Sequence, residues 1–161
     1  MKTIRIGTFE TNSSSTHSIT MCMEEEYKKW ENGELYYIPY NNEFVGKETR
    51  DRILRERVLY EKIDVDNRNN TLNYKGKTIG FDGWKDKLEK IKEFYTEENL
   101  SEVTQEEIDE YLENEDDTLS LPLTCEEYDD YIGERFEMFN EELETPKGEK
   151  VVSFGYYGND W

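Results

Sequence analysis

The chain has 161 residues, with 39 Asp and Glu against 20 Lys and Arg and a formal net charge of −19. That length suits one domain, or a domain with a small lobe, and the charge disfavours unaided binding to nucleic acid or to an anionic membrane while favouring basic partners. Only 34 % of the residues are hydrophobic, but twelve are tyrosines, and aromatic rings bury enough area for a core to form.

Cys22 and Cys125 are too few and too far apart for a disulfide framework, so a reducing compartment is expected. Residues 1–10 lack the apolar run of a signal peptide, and no stretch approaches the length of a membrane span. A cytoplasmic protein is the expectation. His17 is the only histidine, which leaves histidine-based zinc chemistry short of ligands. No metal or cofactor is expected.

In chain order, residues 3–9 alternate apolar and polar as a half-buried strand does, and 18–22 predict a second strand. Between them, 10–18 is rich in Asn, Ser and Thr, whose side chains compete for local backbone hydrogen bonds, so an ordered loop is expected there. Glu24, Glu25 and Glu26 open a short helix that Gly33 closes. A strand at 34–38 and an amphipathic helix at 47–62 follow, then a hairpin at 71–81 turning on Lys75 and Gly76. Trp84, Leu88, Ile91 and Tyr95 fall at helical spacing and predict a helix buried along that stripe. A last strand is expected at 149–157. The fold class is α+β: a small antiparallel sheet with several packed helices.

Residues 97–145 hold twenty acids against one base, Arg135, while the rest of the chain is balanced. We expect a single domain over 1–161 with 97–145 as an acidic helical lobe or insertion. Thr104 with Glu107, and Thr124 with Glu127, match capping boxes, so helices over 104–116 and 125–144 are predicted. Side by side, their sixteen acids would present about one charge per 1.6 Å of axis, against about 1.7 Å for duplex DNA. A surface meant only for solubility would interleave Lys and Arg to relieve repulsion, as the rest of this chain does.

Two other constellations lie outside that acidic stretch. Asp64, Asp66, Arg68 and Asn70 resemble the start of a calcium loop, but Asn69 and Lys75 stand where that loop needs Gly and a bidentate Glu. In 11–18, Asn12, Ser13, Ser14, Ser15 and His17 bring hydroxyls near an imidazole, the minimum for an activated nucleophile, with no elbow or oxyanion signature beside them.

The opening RIGTFETNSSSTHS at 5–18, with MCMEEEYKKWENGEL at 21–35 and TPKGEKVVSFGYYG at 145–158, resembles a group of small uncharacterised proteins encoded by phages and by Gram-positive bacteria. That resemblance implies a mobile-element origin and some importance for the 12–17 loop. In character alone, the acidic middle is similar to the phage anti-restriction and anti-CRISPR inhibitors that imitate nucleic acid. The expectation is therefore a non-enzymatic inhibitor of a basic nucleic-acid-binding protein, a host nuclease, with no direct contact to nucleic acid or membrane. It would act through Glu106, Glu107, Asp109, Glu110, Glu113, Asp116, Asp117, Glu126, Glu127, Asp129 and Asp130, with Tyr111, Tyr128 and Tyr131 stacking on arginines. The alternative is an enzyme or ligand-binding domain centred on the Ser/His loop.

Overall fold

Strands near both ends of the chain pair into one antiparallel sheet, and the helices come from what lies between. The computed structural model describes residues 4–12 and 15–159. In order, the elements are β1 (Ile4–Asn12), β2 (Ser15–Met23), α1 (Glu24–Glu31), β3 (Tyr36–Ile38), β4 (Glu43–Val45) and α2 (Lys47–Lys62). Then come β5 (Asp64–Asp66), β6 (Thr71–Tyr74), β7 (Lys77–Gly80), α3 (Gly83–Lys92), α4 (Glu97–Ser101) and α5 (Gln105–Asn114). A 3-10 turn over Thr118–Ser120 precedes α6 (Cys125–Gly133), β8 (Glu137–Glu144) and β9 (Lys150–Asn159). The fold is α+β, and its elements group into two compact units, one of residues 1–50 with 117–161 and the other of residues 51–116.

In the first unit the sheet order is β1-β2-β9-β8, antiparallel throughout. Ser18, Thr20 and Cys22 of β2 and Val152, Phe154 and Tyr156 of β9 alternate onto one buried face, as period two requires. Trp30 of α1 and Tyr128 of α6 set their rings against Phe154 on that face, at 5.3 and 6.1 Å. Trp30 is the hub: its ring also meets Tyr37 and Phe44, and its indole N–H donates to the Leu123 carbonyl at 3.1 Å. Leu123 in turn exchanges two 2.8 Å backbone bonds with Tyr37, which pins the 119–123 segment across β3.

The second unit packs α3, α4, α5 and most of α2 with the three-stranded sheet β5-β6-β7. Lys75 and Gly76 both take positive φ (52° and 79°), so the hairpin turns where the sequence places it. Arg55 of α2 donates to the carbonyls of Leu100 and Val103, which ties α2 to the C-terminal end of α4 and the residues after it. Asp66 is consumed by its own turn, accepting from the backbone of Arg68 and Asn69 and from the Asn69 amide.

Three expectations are corrected. The helix over 125–144 ends at Gly133, and 137–144 is strand β8, because pairing with β9 outweighs the helical preference of its glutamates. Residues 10–12 and 15–18 are strand instead of loop, with Asn12 opposite Ser15 and His17 between Phe9 and Tyr157. Of the expected stripe, Ile91 is buried and Tyr95, just past the end of α3, is half-buried, with Phe94 buried beside them, but Trp84 is 70 % and Leu88 40 % exposed.

Candidate functional site

Helix α5 begins at a complete capping box: Thr104 Oγ1 accepts from Glu107 N at 3.2 Å, and a Glu107 carboxylate oxygen accepts from Thr104 N at 2.8 Å. With that start fixed, Ile108 and Tyr111 are buried, and Glu106, Asp109, Glu110 and Glu113 fall at i, i+3, i+4 and i+7 on the opposite, exposed face. Among the described residues, none of these four lies within ion-pair distance of a Lys or Arg. The last turn of α5 also lacks any base to meet the negative end of the helix dipole. Seven steps of 1.5 Å from Glu106 to Glu113 spread the four charges over about 10.5 Å, a mean of one per about 3.5 Å of axis, close to the roughly 3.4 Å of axis per phosphate along one DNA strand.

Glu107 itself is engaged. Lys62 pairs with it at 2.5 Å, and that bond together with the Thr104 backbone bond holds its carboxyl below the usual range. Glu127 has the same position in α6: it closes the second capping box with Thr124 and lies 3.5 Å from Arg50. These two acids of the expected eleven hold the helices in place.

Along α6, Tyr128 and Ile132 are buried while Glu126, Asp129 and Asp130 are exposed on the far side. Arg135, the lone base of the stretch, stacks 4.1 Å over Tyr131 and donates to the Tyr131 carbonyl. The acids of β8, Glu137, Glu141, Glu142 and Glu144, line the edge of the sheet, where charge guards against pairing with another strand. Four acids thus have a structural account that needs no partner.

The continuous two-helix array expected from the sequence does not form as drawn. Its second helix is half as long, and α5 and α6 belong to different compact units, with Asp116 at the end of one and Asp117 at the start of the other. What the fold presents is a stripe on each helix. Tyr111 and Tyr128, expected to stack on a partner, are 7 % and 3 % exposed and belong to the cores. Of the Ser/His constellation, Ser13 and Ser14 lie outside the described residues, while Asn12, Ser15 and His17 sit in paired strands.

One cavity of about 440 Å³ was not foreseen. It opens in the first unit between α1, α6 and β8, over a floor of Trp30, Tyr128 and Phe154, with Tyr27, Glu31, Cys125, Asp129 and Asn140 around it. Asn140 donates to the Tyr27 hydroxyl at 3.4 Å. Burial and the charge of Asp129 push the Cys125 thiol up to about 12, so it stays protonated and is a poor nucleophile. Partial burial, then the neighbouring Asp130 and Glu31, raise the Asp129 carboxyl. The signal in the sequence was a pair of one-turn spacings, Tyr27 with Glu31 and Cys125 with Asp129; nothing local shows that the two helices face each other. The second unit carries a cleft of about 320 Å³ beside α5, bordered by Lys62, Glu107, Glu110 and Tyr111.

No described helix is long and apolar enough to cross a membrane. Comparison with protein-family models, with curated proteins and with solved structures finds no match to this chain.

Proposed function

We propose that the protein is a phage-type inhibitor that imitates nucleic acid and occupies the basic DNA- or RNA-binding channel of a host defence nuclease, such as a CRISPR effector, in the bacterial cytoplasm. The observation that carries this reading is the exposed stripe of Glu106, Asp109, Glu110 and Glu113, without ion-pair partners among the described residues and with a mean axial charge density like that of one phosphate strand. A channel lined by Lys and Arg neutralises phosphates and can neutralise such carboxylates in the same way, with fast, salt-sensitive association. The single-strand spacing replaces the duplex-like array that the sequence led us to expect. The Glu126, Asp129 and Asp130 stripe adds a second anionic track in the other unit.

The test measures the affinity of the full chain for a purified CRISPR effector nuclease over a salt series, together with target cleavage. Binding should weaken steeply with salt, and changing the four α5 acids to Gln should flatten that dependence and restore cleavage. Binding indifferent to salt, or undiminished in the quadruple Gln variant, would refute the reading. Ser15→Ala and His17→Ala should leave inhibition intact; its loss in either would favour the Ser/His site instead.

A further inference from the structure

The cavity between α1, α6 and β8 combines features that one kind of side chain satisfies together. Its floor is aromatic, and Trp30, Tyr128 and Phe154 are each at most 3 % exposed, so the rings are held in place by the core. Trp30 and Tyr128 meet edge to face at 5.2 Å, and Tyr27 leans on Trp30 at 5.6 Å. Two carboxylates, Glu31 and Asp129, stand at its border. No Lys or Arg is among the lining residues, and the charged groups that act on Cys125 and Asp129 are all acids. Asn140 gives its N–H to the Tyr27 hydroxyl.

We propose that this cavity is the anchor pocket for an arginine side chain of the basic partner, its guanidinium bonded by Glu31 and Asp129 and packed on the half-exposed rings of Tyr27 and Phe139 above the buried aromatic floor. A planar, weakly hydrated cation that stacks on rings and bonds carboxylates in a fork fits this lining better than an apolar group, which would leave two acids facing it. A volume of about 440 Å³ lies within the roughly 300–1,000 Å³ of ligand sites. The inference rests on the reading of the protein as a binder of basic proteins, and it gives that binding a point of specificity which a charge stripe lacks.

The probe is the acetylated, amidated dipeptide Arg-Arg, titrated into the full chain and followed in amide NMR spectra, with the citrulline dipeptide as an uncharged isostere. The arginine peptide should shift the signals of Tyr27, Glu31, Cys125, Asp129 and the Asn140 side chain, and citrulline should not. The double variant Glu31→Gln with Asp129→Asn, both exposed positions, should keep the spectrum of the folded protein and bind the arginine peptide about tenfold more weakly. Equal shifts with citrulline, shifts confined to α5, or unchanged affinity in the double variant overturns the proposal. Nuclease capture that survives the double variant undiminished ends the pocket inference and leaves the inhibitor reading standing. Arginine binding here without any nuclease bound does the reverse.

Discussion

Trp30 donates its indole N–H to the carbonyl of Leu123 at 3.1 Å across 93 positions of sequence. That bond, inside a cluster where Trp30 touches Tyr27, Tyr37, Phe44, Tyr128 and Phe154, ties α1 to the segment that leads into α6. Trp30→Ala should therefore cost about 3–5 kcal/mol, since a large buried ring leaves a cavity its neighbours cannot close. Trp30→Phe keeps most of the area and loses the donor; about 1–3 kcal/mol is expected. Chemical denaturation measures both. A Phe variant as damaging as Ala would mean that ring area alone recovers nothing and that the indole's donor and full shape hold the cluster.

Gly155 of β9 sits against the Ser18 backbone so closely that an added β-carbon would overlap the Ser18 carbonyl, with the Phe139 ring 3.2 Å away on the other strand. Backbone cannot step aside as a flexible side chain can. Gly155→Ala should destabilise the first unit by about 1–3 kcal/mol or more, as overpacking does, and disturb the β2–β9 register. Thermal melts combined with amide exchange of β2 would detect it; an unaltered melting temperature would contradict the close approach.

The two capping boxes should behave alike. Thr104→Ala and Thr124→Ala each remove an acceptor from a helix N-terminus, at a cost of about 1 kcal/mol apiece. Because Glu107 also bonds Lys62, Glu107→Gln should weaken α5 further at neutral pH, while Glu106→Gln on the exposed stripe should be nearly neutral for stability. Helix content followed through urea titrations separates the positions. Equal losses at 106 and 107 would remove the distinction between bracing and presented acids.

Two carboxyls predict opposite pH dependences. Glu107 is held below its ordinary value of 4.5, so the stability it supplies is present above that value and drains away as pH falls through its lower folded value. Asp129 is raised above its ordinary 3.8, so the folded state favours its protonated form; the relative stability is full below 3.8 and is lost as pH climbs through the raised value. Asp129→Asn should therefore stabilise the protein at neutral pH, with the gain vanishing in acid, whereas Glu107→Gln should destabilise it at neutral pH with the loss vanishing in acid. Denaturation midpoints of each variant against the unaltered chain, across the carboxylate range, check both signs. A neutral-pH loss for Asp129→Asn would show that neither burial nor the acids beside it disfavours the charged form.

Local chemistry is legible in the sequence. Thr104–Glu107 and Thr124–Glu127 are three residues apart, and that spacing alone sets both halves of each cap. Lys75 and Gly76 turn the hairpin because Gly tolerates positive φ. Neither depends on what lies elsewhere in the chain.

Residues 137–144 read as helix because glutamates favour helices and Phe136 and Phe139 fit a helical stripe; they form a strand because β9 offers a row of backbone partners, a fact held some ten residues downstream. The Trp84 stripe has helical spacing and forms α3, yet spacing cannot say which turns another element will cover, and the first two stay exposed. Charge shows the same division. Composition by itself determined that 97–145 is an anionic stretch whose single base cannot neutralise it. Only the tertiary structure decided which carboxylates brace helices, which guard a sheet edge, which stand exposed on α5 without an ion-pair partner among the described residues, and which border an aromatic cavity. Net charge is a sum over residues, whereas what each charge does depends on neighbours that chain folding alone brings within a few ångströms.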